Sequence, residues 1–105
     1  MQSEIKEYTV IVQDPAIEML IQHARFLAQV SETAAVRLAT EFHKKATSLE
    51  TMPERCPWLF DPYIPEYKYR KLIFEKHYML LFQVIGAYVY IDAMVDCRQE
   101  YSNLL

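Results

Sequence analysis

Glycine is nearly absent: Gly86 is the only one among 105 residues. A loop that cradles phosphate needs glycines so that backbone N–H groups can approach the ligand. A nucleotide-binding loop is therefore close to excluded. Cysteine is scarce too. Cys56 and Cys97 lie far apart and match no zinc or redox spacing. They read as small buried or half-buried side chains, reduced in the cytoplasm. No HxH, HExxH or CxxC occurs, so neither a metal nor a cofactor is expected. Ser3, Ser31, Ser48 and Ser102 sit in no nucleophile-like context.

Long apolar runs are missing as well. The most apolar region is broken by Gln83 and Gly86 and alternates like strands, so no membrane-spanning helix and no membrane partner are expected. The opening MQSEIKEY carries acids and no apolar stretch, unlike a signal peptide. Positive charge is not in excess. The formal net charge is -3, which excludes a general pull toward nucleic acid and leaves only local basic patches for such contacts.

What is present is a chain 52% apolar with eight tyrosines, the composition of one globular domain covering residues 1–105. Its tail, Tyr67 to Tyr101, holds three runs rich in Val, Ile, Tyr, Phe and Leu with two very short breaks. That pattern predicts an antiparallel meander. The middle run, Tyr78 to Ile85, is almost wholly apolar and reads as a central strand buried on both faces. Gly86-Ala87 fits a two-residue hairpin, with glycine supplying the positive φ.

Ahead of the tail, Glu4 to Val12 reads as a strand. Asp14 is the expected N-cap of a first helix, with Pro15 at its first position and its end near Gln29. Ile17, Leu20, Ile21, Ala24, Leu27 and Ala28 form its apolar stripe. Ser31 is the expected N-cap of a second helix, which carries Ala35, Leu38, Ala39, Phe42, Ala46 and Leu49 and ends near Thr51. The two make an antiparallel helical hairpin. Met52 to Glu66 contains four prolines and reads as an ordered loop in which Trp58, Leu59, Phe60, Tyr63 and Ile64 seek burial. The expected class is α+β: an N-terminal strand, a two-helix hairpin, then a three-stranded antiparallel meander forming a small sheet packed on the helices.

Candidate chemistry gathers at the end of the sheet. Arg98 directly follows a buried strand, and Gln99, Glu100 and Tyr101 come after it. A fixed guanidinium can clamp a phosphate; an ion pair with Asp92, Asp96 or Glu100 is the structural alternative. Lys68, Arg70, Lys71 and Lys76 cluster near the first tail strand, interleaved with tyrosines. Such a pattern suits single-stranded RNA, but it is also what an edge strand uses to block pairing. His23 and His43 lie on the helices as surface residues. His77, in a strand turn, is a possible proton carrier.

The run of features from YTVIV through RFLAQVS, AAVRLATEF, SLETMPERCP, YRKLIF and YMLLFQVIGAYVYI to VDCRQEYSNLL resembles the RelE/ParE superfamily of plasmid-stabilisation-type toxins from bacterial type II toxin–antitoxin systems. The resemblance spans essentially the whole chain and rests on order and spacing. It implies a growth-inhibiting toxin neutralised by a cognate antitoxin, with either DNA gyrase or the ribosome and its mRNA as target, and homo-oligomers are possible. RNA-cutting relatives usually carry an arginine where this chain has Met79, and often a histidine where it has Asp96. Arg98 matches the family's arginine and Tyr101 a terminal aromatic. These departures place ParE-like inhibition of gyrase by binding first. The alternatives are a ribosome-dependent mRNA endonuclease without metal, using Arg98 with Tyr101 or Glu100, and an inactive member that only binds its antitoxin.

Overall fold

Three strands follow one another down the tail: β2 (Arg70–Phe74), β3 (Tyr78–Ile85) and β4 (Tyr88–Asp96). A fourth, β1 (Thr9–Val12), comes first in the chain. In the computed structural model, which describes residues 7–98, they form one sheet in the order β1-β4-β3-β2. β2, β3 and β4 are the expected antiparallel meander. β1 pairs parallel to β4, so the sheet is mixed within the expected α+β class.

β1 is shorter than Glu4–Val12. Glu7 makes a single bridge to Thr51, and the Tyr8 N–H goes to the Glu50 carbonyl instead of a strand partner. Residues 4–6 lie outside the described residues. The strand runs straight into helix α1 (Asp14–Ala28). Gln13, not Asp14, is the cap residue. Its N–H donates to Ile91 O at 2.9 Å, which holds its backbone extended, and its side chain makes no capping bond. Asp14 falls in the first helical turn, where its charge suits the dipole.

Helix α2 (Glu32–Ser48) begins as expected: the Ser31 hydroxyl accepts from Ala34 N–H at 3.1 Å. It ends short of Thr51. Leu49 and Glu50 donate three residues back, to Ala46 and Thr47, tightening the last turn.

The hairpin covers one face of the sheet. Leu38, Phe42, Ala46 and Leu49 of α2 and its C-cap meet Leu80, Phe82, Val89 and Ile91, all buried. On α1 the stripe is rotated from the expected one. Ala16 is buried, and Met19, Leu20 and Leu27 pack on the core, while Ile17 and Ile21 are 39% and 42% exposed and Ala28 is also exposed. α1 lies against both α2 and β4, so the residues between those two contacts are the buried ones.

The proline-rich loop covers part of the other face. Leu59 and Ile64 pack with Tyr69, Met79, Leu81, Ala93 and Val95. Central strand β3 is therefore buried on both faces over Tyr78–Phe82; the expected burial does not extend to Ile85, which is 56% exposed where the loop no longer covers the sheet. Phe60 and Tyr63 do not bury; they are 58% and 80% exposed, and Trp58 is half-buried beneath Arg70. Backbone pairing explains the division. Leu59 N–H donates to Tyr69 O and Lys71 N–H to Pro57 O. These bonds bind the loop alongside β2, so alternate side chains point outward.

Two local features matter for the site. Phe82 opposes Ile91 while Leu81 opposes Ala93, so Asp92 is the extra residue of a β-bulge. A bulge shifts which residues face which side: Val89 and Ile91 face the helices before it, Ala93 and Val95 the loop after it. At the far end, Gly86 has φ 61° in the two-residue turn between Ile85 and Tyr88, as expected.

Candidate functional site

β3 and β4 end side by side, with Tyr78 opposite Asp96. The Cys97 N–H then donates to His77 O at 2.6 Å, which ties the chain after β4 to the turn before β3. Cys97 itself is exposed while Cys56 is buried. That corrects the expectation of two buried or half-buried thiols; Cys97 lies past the last strand, where no layer covers it.

The fixed backbone brings Arg98 back onto Asp96. Arg98 Nε donates to Asp96 Oδ1 at 3.0 Å and Nη2 to Oδ2 at 2.7 Å. The Arg98 backbone N–H also donates to Oδ1 at 2.9 Å. Two parallel guanidinium bonds are the strongest geometry such a pair offers. The Arg98 hydrogen bonds hold the Asp96 carboxyl below its ordinary range, against the opposing effect of burial. Arg98 is shifted upward by the same hydrogen bond. The result is a buried carboxylate neutralised by a cation whose side chain remains largely exposed.

Around this pair is a cavity of about 410 Å³ between α1 and the sheet end, lined by Gln22, His23, Phe26, Tyr78, Asp96 and Arg98 with Met19 and Leu27. His23 meets the Tyr78 ring edge-on at 5.5 Å, and His77 lies 4.5 Å from the same ring. Burial lowers the His23 pKa; Asp96 acts against this, while Arg98 and His77 reinforce it. Burial, then Asp96, raises that of Tyr78. At neutral pH the cavity therefore presents a neutral imidazole, a protonated phenol and an ion pair.

Of the residues singled out in the sequence, Arg98 is at this site, paired with Asp96. Glu100 and Tyr101 lie outside the described residues. Met79 is 3% exposed beneath the loop, opposite Ile73 and Val95. The basic cluster does not converge here. Arg70 donates to the carbonyls of Cys56 at 2.7 Å and Glu54 at 3.2 Å and lies 3.9 Å from the Trp58 ring, while Lys68 lies over Tyr69.

His23 and Tyr78 were not foreseen. The signal was available for His23: it falls four residues after Met19 and four before Leu27, on the face α1 actually buries. Among the described residues no group of three or more His, Cys, Asp or Glu is placed to hold a metal. No helix there is long and apolar enough to cross a membrane.

No protein-family model matches the sequence, and no curated protein matches it. The fold does have a solved counterpart. A chain of the "Chromosomal ParDE TA system from P. aeruginosa" superposes with a TM-score of 0.69 at 13% identity, covering 86% of this chain and 96% of that one. The two chains thus share one fold.

Proposed function

We propose that this protein is the growth-inhibiting toxin of a toxin–antitoxin pair, neutralised by a cognate antitoxin, and that it acts in the cytoplasm by binding, with DNA gyrase as target. The shared fold with a ParDE-system chain supports the toxin role. The choice of binding over cutting rests on one observation: the Arg98 guanidinium is already engaged, bidentate, by a buried carboxylate. Stabilising a transferring phosphate calls for a preorganised donor with uncompensated charge. At Arg98 much of that charge is already neutralised, and Met79 contributes none.

Expression without the antitoxin is expected to arrest growth, and purified protein to inhibit gyrase supercoiling. Arg98→Ala, if it folds, is expected to retain arrest. Normal supercoiling at saturating protein would overturn the gyrase assignment, and unaffected growth would overturn the toxin role itself.

A second reading, an mRNA endonuclease centred on Arg98, draws on the neutral His23 and protonated Tyr78 beside it, groups suited to proton transfer. It predicts cleaved mRNA during arrest and loss of cleavage in Arg98→Ala. Intact message would dismiss it.

A further inference from the structure

The sheet face opposite the helices is only half covered. The loop packs where Met79, Leu81, Ala93 and Val95 lie. On the other side of the bulge that face carries Gln83, Ile85, Tyr88 and Tyr90. Ile85 is 56% exposed and Tyr88 45%, and Tyr88 and Tyr90 stack at 6.0 Å. At the boundary are two recesses of about 570 and 460 Å³ that share Pro65 and Lys68 as a common wall.

Their floors are joined by one hydrogen bond. Gln83 lines one recess and Asp92 the other, and Gln83 Nε2 donates to Asp92 Oδ2 at 2.8 Å. The Tyr69 phenol lines the same recess as Asp92. Burial, reinforced by this carboxylate, pushes the Tyr69 phenol up to about 12. Asp92 is thus held by one neutral donor, the Gln83 amide, and among the described residues no lysine or arginine forms an ion pair with it.

The groove carries an excess of acid. Asp14 and Asp92 line one recess, Glu54 and Glu66 the other. Against these four carboxylates stand Lys68 and Arg70, and Arg70 is engaged by backbone carbonyls and the Trp58 ring. The loop wall is aromatic. Tyr63 and Tyr67 are 80% and 62% exposed, and Tyr67 is held at φ 60°, an unfavourable conformation for a bulky residue. The Lys68 ammonium lies 5.2 Å from the Tyr69 ring centre, an internal example of a cation on an aromatic face in this groove.

Four carboxylates against two cations disfavour a phosphate backbone, and so RNA, here. They suit guanidinium or ammonium groups, and the exposed Ile85 and Tyr88 suit apolar side chains between them. The geometry points to this groove as the docking site of an extended, basic segment of a partner polypeptide, with one cationic side chain seated on Asp92. The inference rests on the toxin reading only in expecting a protein partner, and its test reads neither growth nor supercoiling.

The test is fluorescence anisotropy with the full chain and three labelled probes: a short peptide of alternating arginine and valine, its glutamate–valine counterpart, and oligouridine of similar length. The arginine–valine peptide is expected to bind and the other two are not. Asp92→Asn is expected to weaken binding about tenfold and Tyr63→Ala about threefold, whereas Glu32→Gln, on α2, leaves it unchanged. Tyr63 is exposed enough that its variant reports on the groove even where Asp92→Asn does not fold. Equal weakening by Glu32→Gln would reduce the effect to general charge attraction and overturn the site. Binding of the acidic peptide, or preference for oligouridine, would overturn the assigned partner.

Discussion

Arg98 and Asp96 close a small ring at the end of β4. The guanidinium reaches both carboxylate oxygens, at 3.0 and 2.7 Å, and the Arg98 N–H returns to one of them at 2.9 Å. The cation that the sequence singles out as a candidate phosphate clamp is the counterion of a carboxylate that is 4% exposed. Buried charge needs such a partner, since an unpaired carboxylate in that position would be driven to protonate.

The pair predicts an acid limb in the stability profile. The Asp96 pKa in the folded state lies below its ordinary 3.8, chiefly through the Arg98 hydrogen bond. In acid the unfolded chain therefore binds the proton first. The stabilisation is present above about pH 4 and is lost as pH falls through the folded value. Urea midpoints measured from about pH 5 to 2 are expected to fall less steeply in Arg98→Ala than in the parent. An identical limb would mean that Asp96 is not held down by Arg98.

His23 gives a second, separate pH dependence. Its folded pKa lies below the ordinary 6.5, with burial the largest cause. Protonation thus favours the unfolded chain, and stability is expected to decline as pH drops below about 6.5. His23→Gln is expected to remove that decline. Asp96 is the one neighbour that favours His23 protonation, so Asp96→Asn is expected to lower the imidazole pKa further. NMR titration of the ring protons reads both effects, and a His23 pKa above 6.5 would contradict the first.

Placing an arginine at Met79 is expected to fail structurally. Met79 is 3% exposed and packs with Leu59, Ile64, Leu81 and Val95. Met79→Arg puts an unpaired charge there and is expected to cost about 3–5 kcal/mol or displace the loop. Met79→Leu, which conserves volume, is expected to cost less than about 1.5 kcal/mol. Chemical denaturation separates the two, and near-equal stabilities would show that the loop opens freely over this position.

Gly86 offers a purely conformational test. Its φ is +61° and a Cβ there would meet nothing within 4 Å. Gly86→Ala is therefore expected to destabilise by about 1 kcal/mol from backbone strain alone, and Gly86→Asn by less, because asparagine tolerates the left-handed region. Equal thermal midpoints for all three proteins would indicate that the turn changes type.

The elements were legible because their signals are local. Ser31 caps its helix through its own side chain. Gly86 turns the chain by its own φ, and the apolar run Tyr78–Phe82 of β3 marks a segment buried on both faces. Where a neighbour supplied the deciding bond, the local signal misled. Asp14 looks like a cap, yet Gln13 holds that place because Ile91 fixes its N–H. Phe60 and Tyr63 look like core, yet the pairing of residues 57–59 with 69–71 turns Phe60 outward, and Tyr63 stands in the turn that Asp61 closes with Ile64.

The sequence by itself determined the order of strand, helices and meander, the central position of β3, and Arg98 as the cation at the sheet end. Each follows from residue type and spacing along a few turns of chain. Only the tertiary structure decided that β1 runs parallel to β4, that α1 turns His23 inward to meet Tyr78, and that Arg98 is held by Asp96. It also decided that one extra residue at Asp92 leaves half a sheet face open beside the loop. Those outcomes depend on which distant groups arrive within hydrogen-bonding or packing distance, and the spacing of residues along one segment carries no record of that.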